Sequence, residues 1–144
     1  MDQLSTKLRI MSLVFALIII SLSDSYGADW KLLTKSKMFL LYYDKQSITY
    51  PLNDVVRVWV ATYPSEDVIN SIEEMYGEKY GALSYWYELA EIHCRHRRAR
   101  VISQECYSSG GAYIGSFYRD LPTPWGNIHP SDIRATRLLE GLCK

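Results

Sequence analysis

The sequence predicts an α+β fold: an antiparallel β-sheet of about six strands, one helix in mid-chain, and a C-terminal helix linked to the sheet by a disulfide. Three observations predict it. Apolar side chains alternate along "VVRVWVATY", "ALSYWYELAEIHC" and "ARVISQECY", as half-buried strands require. Two other stretches, "PSEDVINSIEEMYG" and "SDIRATRLLEGLCK", carry their apolar residues at helical spacings of three and four. A cysteine closes the second of these, one residue before the end of the sequence.

The first residues read as a leader. Lys7 and Arg9 precede an apolar run from Ile10 to Leu22, and the small residues Ser25 and Gly27 precede a cut before Ala28. The run is shorter than the roughly 20 residues that span a bilayer. The expectation is a cleaved secretory signal peptide over 1–27, a single domain over 28–144, and no transmembrane segment after cleavage. No cysteine precedes Cys94, so the lipid-modified cysteine of a lipoprotein anchor is missing at this cut. Asp2 and Asp24 offset Lys7 and Arg9, leaving the domain as neutral as the whole chain. A neutral, exported domain gives no argument for nucleic-acid binding.

"DWKLLTKSKMFLLYYDKQSITY" reads as two or three short strands turning at "KSK" and "DKQS", and "YPLND" as the turn into the strand "VVRVWVATY". Ser65 is a good N-cap, and Glu66 and Asp67 in the first turn suit the helix dipole. Val68, Ile69, Ile72, Met75 and Tyr76 form the apolar stripe of this helix, which Gly77 ends. A long hairpin follows across "RHRR", then a turn at "SSGG" into "AYIGSFY". The terminal helix runs from Ser131 to Cys143 with Ala135, Leu138, Leu139, Leu142 and Cys143 on one face.

The three cysteines are Cys94, Cys106 and Cys143, and outside the cytosol a disulfide is expected. If the hairpin turns at His96 and Arg97, Cys94 lies opposite Ala99 and Cys106 opposite Tyr87. That places Cys94 and Cys106 roughly 23 Å apart at the rise of a strand, far beyond the ~7 Å that a disulfide allows. Cys143, on the core side of its helix, can reach the sheet, so Cys94 with Cys143 is the favoured pair. Such a bridge is worth roughly 4 kcal/mol in the chain-entropy model. Cys106 is left over.

Alternation also sorts the sheet's faces. Val56, Val58, Val60 and Thr62 share one face with Trp86, Ala90, Ile92 and Cys94, toward the terminal helix. Val55, Arg57, Trp59, Ala61 and Tyr63 share the other with Leu83, Tyr85, Tyr87 and Leu89. Trp, Tyr and Arg are the types enriched in contact surfaces, so Trp59, Tyr63, Tyr85 and Tyr87 are candidate binding residues, with Arg57 beside them. Two readings stay open: this second face is a contact surface, or the first helix or a loop covers it and makes it core.

A resemblance adds to this. The start "ADWKLL", the strand "VVRVWV", the segment "EKYGALSYWYELAEIHC" and the ending "PTPWGNIHPSDIRATRLLEGLCK", in this order, resemble the surface-adhesin protein E family over nearly all of 28–144. The resemblance implies a small exported domain of a Gram-negative bacterium, in the periplasm or at the cell surface. It implies an antiparallel sheet backed by helix with Cys94 joined to Cys143, a homodimer, and adhesion to extracellular-matrix protein. Cys106 has no place in that pattern.

"CRHRRAR" sets Arg95, Arg97, Arg98 and Arg100 around the hairpin tip. Guanidinium forks suit phosphate and sulfate, so the tip is a candidate polyanion site, against the plainer reading of a solvated turn that guards against edge aggregation. His93 and His96 fall on opposite strand faces and no further ligand pair follows at zinc-site spacing, so no metal is expected. Trp125, between Pro124 and Gly126, is expected to plug the end of the core. Nucleophile elbow, phosphate loop and C-x-x-C motifs are absent from the sequence, and no cofactor is expected. A catalytic role for Cys106 would need a nearby histidine. The reading is an exported, non-enzymatic binding or adhesion module for extracellular protein or polyanion. The alternative is a periplasmic, homodimeric accessory protein without adhesin activity.

Overall fold

The computed structural model describes residues 27–144; the leader read over 1–27 lies, but for Gly27, outside the described residues. Ten elements follow one another. They are β1 (Trp30–Lys35), β2 (Phe39–Asp44), β3 (Thr49–Leu52), β4 (Val55–Pro64), α1 (Glu66–Tyr76), β5 (Leu83–His93), β6 (Arg98–Ser108), β7 (Tyr113–Gly115), β8 (Gly126–Asn127) and α2 (Ile133–Leu142). The strands form one antiparallel sheet in the order β1-β2-β4-β5-β6-β7. β3 continues the β2 edge of β4, and β8 joins β6 near the hairpin tip.

Local chemistry sets the boundaries. Ser36 Oγ accepts from the Met38 and Phe39 amides and closes the turn into β2. Asp44 Oδ1 accepts from the Asp29 and Gln46 amides, tying the start of the domain to the end of β2. Ser65 caps α1 as its position predicts, accepting from Val68 N. Asp132, not Ser131, caps α2, with Oδ1 accepting from Ala135 N at 3.0 Å. Of the α1 stripe only Ile72 is fully buried: Met75 and Tyr76 are exposed, though the Tyr76 ring still stacks on Phe117 with centroids 5.4 Å apart.

Both helices lie on the same face of the sheet. Leu138 and Leu139 of α2 pack on Phe39, Leu41, Val58, Val60, Ala90 and Ile92. Ile72 of α1 packs with Tyr80, Trp86 and Cys106, and Val68 and Ile69 flank them. The reading in which α1 covers the opposite face is therefore excluded. Leu83 also belongs to the covered side, packing beside Trp86. A register irregularity between Leu83 and Tyr85 turns it away from the face that plain alternation gives it.

The Cys94–Cys143 disulfide is present, with Cα atoms 5.5 Å apart, and it pins the end of α2 to the hairpin tip. The hairpin register differs from the one expected. Ala99 pairs with Ile92, not Cys94, and Cys106 pairs with Trp86, not Tyr87. The turn takes four residues, Cys94 to Arg97, with Arg97 at φ 50°, and a bulge at Leu89/Ala90 shifts the ladder once more. The exclusion of a Cys94–Cys106 bridge survives, because both registers leave most of a strand between them. α2 comes close to β1 at Gly141, where a Cβ would meet Leu33 Cδ1 at 2.6 Å and oblige that side chain to shift. No helix among the described residues is long and apolar enough to cross a membrane.

Candidate binding surfaces

With both helices on one side, the opposite face of the sheet carries a connected field of rings. Tyr63 and Tyr85 have centroids 5.5 Å apart, Tyr85 and Tyr87 5.5 Å, Tyr85 and Tyr107 5.3 Å. Tyr42 extends the field on the β2 side and Tyr113 on the β7 side. Register explains the contacts. Tyr85 pairs directly with Tyr107 across β5 and β6, while Ala61 sits between Tyr87 and Tyr42. The small Ala61 leaves room for the Trp30 ring, which stacks on Tyr87 at 5.5 Å. A shallow groove of about 320 Å³ runs here between Trp30, Leu40, Tyr42, Ala61 and Tyr63. The rings are half-buried by one another, and Trp30, Tyr63 and Tyr113 remain exposed to solvent.

Two of the phenols are pushed above their ordinary value. The Glu105 carboxylate, accepting from Tyr107 Oη at 2.8 Å, pushes that phenol up to about 12, with burial and nearby tyrosines adding to it. Burial first, then neighbouring Tyr63 and Tyr85, raises Tyr87 as well. The face offers apolar rings with polar hydroxyl tips, the amphipathic chemistry of contact surfaces.

Nearer the tip, the same face holds a buried charge cluster. Glu91 is 1 % exposed. Its Oε1 accepts from Arg57 Nε and Nη2 at 2.9 and 2.6 Å, and its Oε2 from Arg100 Nε at 2.6 Å. Burial alone pushes the carboxyl up, but the bonds and charges of the two guanidinium groups outweigh it and hold Glu91 below the usual carboxylate range. Arg100 also lies over the Trp125 ring, 4.6 Å from its centroid.

These contacts correct two expectations. Arg100 is not part of the basic tip, because its charge is taken by Glu91. Trp125 is half-buried over Arg100 on the open face and does not plug the core. The β8 pairing of Gly126 with Ala99 turns it outward, and Ile128 fills the core position instead. Trp59 lies half-buried on the open face, opposite Leu89 in the ladder, and among the described residues no other ring stacks on it.

At the tip, Arg95, Arg97 and Arg98 are exposed, and among the described residues no carboxylate pairs with them. Arg98 Nε donates to Asn127 Oδ1 at 3.2 Å, which steadies one of the three. Cys94 cannot ligate a metal, since its sulfur is in the disulfide. Cys106 is fully buried, and burial first, then the Glu88 charge, pushes its thiol up to about 12. Burial of this kind disfavours the thiolate, the form in which a cysteine attacks.

Sequence reasoning found Tyr63, Tyr85 and Tyr87 but missed Trp30, Tyr42, Tyr107 and Tyr113. Trp30 belongs to β1, whose facing depends on a register shift between Leu32 and Thr34 that pattern alone does not reveal. Tyr107 was findable: it alternates with Cys106 on a strand already recognised. Searches against protein-family models and against curated proteins find no match for this chain.

Proposed function

We propose that this chain is an exported binding module whose contact surface is the ring field of the open sheet face. The observation that carries the proposal is the placement of both helices on the other face, which leaves Trp30, Tyr42, Tyr63, Tyr85, Tyr87 and Tyr107 with no covering element among the described residues. A sheet with one helix layer ordinarily keeps its far side polar, and contiguous exposed apolar surface marks interaction sites. The resemblance to the surface-adhesin protein E family supports an extracellular protein as partner. The unpaired guanidinium groups of Arg95, Arg97 and Arg98 support a polyanionic ligand at the tip.

The test is binding to immobilised extracellular-matrix extract and, separately, to heparin. Tyr63→Ser with Tyr85→Ser abolishes matrix binding and leaves heparin retention intact, whereas Arg97→Ser with Arg98→Ser does the reverse. Undiminished matrix binding by the tyrosine variant overturns the assignment.

A second reading is favoured by the edge of the sheet. Trp30 and Leu32 are exposed on β1, beside the ring field, and extend its apolar surface to a strand edge that is unpaired among the described residues. In this reading a second copy covers the face, giving a homodimeric periplasmic accessory protein. Sedimentation distinguishes it: the tyrosine variant becomes monomeric while the wild type is a dimer that binds no matrix protein.

A further inference from the structure

Two turns lie side by side at one end of the sheet. The β3–β4 turn runs through Asn53 and Asp54, and the β5–β6 turn from Cys94 to Arg97. Cys94 N donates to Asp54 O at 2.7 Å between them, and Val55 pairs with His93 just behind. The disulfide brings Cys143 to the same end, and Lys144 with it. A cleft of about 460 Å³ beside the disulfide has Lys45, Tyr50, Asp54 and Lys144 in its lining.

Charge is unevenly shared between the two ends of the strands. Arg95, Arg97, Arg98, Lys45 and Lys144 are exposed at this end, and among the described residues none of the five forms an ion pair. Asp54 is the exposed carboxylate beside them. At the opposite end of β4 the balance reverses: Glu66, Asp67, Glu73, Glu74 and Glu78 stand against Lys35, Lys37 and Lys79. The chain as a whole is neutral, so the tip is the positive pole of a dipolar molecule, and such a field orients it toward an anionic surface.

The same end also exposes apolar side chains. Tyr50 is 72 % exposed and Leu52 65 %. Leu52 sits at the turn itself, opposite Val55 in the ladder. A soluble polyanion engages the cations and leaves Leu52 in water. An anionic bilayer uses both: headgroup phosphates meet the guanidinium groups, and apolar side chains enter the boundary between headgroups and acyl chains. We infer that this end of the sheet docks on an anionic phospholipid surface, with Arg95, Arg97 and Arg98 on the phosphates and Leu52 and Tyr50 in the interface. The inference rests on the reading of these arginines as an anion-contacting tip, and it is independent of the ring field. Docked in this way, the strands lead away from the membrane. Tyr63, Tyr85 and Tyr107, toward the far ends of β4, β5 and β6, stand clear of it.

The test is co-sedimentation of the purified protein with vesicles of phosphatidylglycerol and phosphatidylcholine in equal parts. Vesicles of phosphatidylcholine alone are the neutral control, and heparin retention is measured beside them. The wild type sediments with the mixed vesicles and not with the neutral ones, and added salt weakens the binding. Arg97→Ser with Arg98→Ser weakens it about thirtyfold, the worth of two cations near an anionic surface. Leu52→Ser changes one exposed turn residue. It weakens vesicle binding about tenfold, for partial burial of a leucine side chain, and leaves heparin retention unchanged. Vesicle binding as tight in Leu52→Ser as in the wild type overturns the inference, since the tip is then a charged surface alone. Heparin retention without vesicle binding overturns it too, and leaves the polyanion reading of the tip standing. A wild type that binds neither overturns both.

Discussion

Two buried carboxylates three residues apart on β5 show how the two faces of this sheet differ. Glu88 points to the covered face and Glu91 to the open face, and each is held by arginine. The arginine of Glu88 comes from α2, forty-six residues away in sequence, so that pair joins a helix to the sheet. The arginines of Glu91 come from β4 and β6, the strands on either side of it, so that cluster ties the sheet to itself. The first arrangement spends its charges on tertiary structure. The second stiffens a surface without covering it, and leaves the rings beside it free for contact. Damage to the covered face should therefore appear as lost stability, and damage to the open face as lost association.

The largest effect is expected at the disulfide. Cys94→Ser with Cys143→Ser releases α2 from the tip and lowers unfolding free energy by about 4 kcal/mol in urea titrations. An effect under about 1 kcal/mol would mean that packing of Leu138 and Leu139 alone holds the helix. Next, Arg134→Met leaves Glu88 buried without its cation and costs about 3 kcal/mol in the same measurement. Replacing Glu88 by Gln in that background recovers part of the loss, because the buried charge goes with it.

On the open face the effects shrink. Glu91→Gln costs about 1–2 kcal/mol at neutral pH, a modest figure because Arg57 and Arg100 stay partly solvated. The folded state holds the Glu91 carboxyl below its unfolded value. Its contribution is thus complete above the ordinary carboxylate pKa and disappears as pH falls through the folded one. The gap between wild type and Glu91→Gln closes below about pH 4. A gap that persists in acid assigns the loss to geometry instead of charge. The smallest stability change belongs to Tyr63→Ser with Tyr85→Ser, about 1 kcal/mol or less, although these substitutions remove matrix binding or self-association.

The strands and helices were legible because their periods are clear. Val56, Val58 and Val60 alternate cleanly, and Leu138, Leu139 and Leu142 follow helical spacing. The disulfide was legible in part: distance along the hairpin rules out Cys94–Cys106 in either register, and of the two partners left to Cys143, Cys94 was the favoured one. What the sequence hid depends on where chain segments cross. Neither Arg134 nor Glu88 suggests a partnership from its own neighbourhood, and Arg100 reads as one more charge in a basic run until Glu91 appears opposite it in the ladder. β8 is only two residues long, too short for any period, yet its pairing decides that Trp125 turns outward and Ile128 inward. The side on which α1 packs was undetermined because the turn after Pro64 allows either face, and that choice makes the ring field a surface.

The most direct test of that surface is hydroxyl-radical footprinting of the purified protein, read by mass spectrometry. It is performed first in dilute solution, then with saturating extracellular-matrix extract and at high protein concentration. Trp30, Tyr63 and Tyr113 are expected to be oxidised in dilute protein and to become protected in at least one of the other two conditions. Tyr80 and Trp86, packed under α1, stay unreactive throughout. Oxidation of Trp86 and Tyr80 in the folded protein, or a ring field that is never protected, would contradict this expectation.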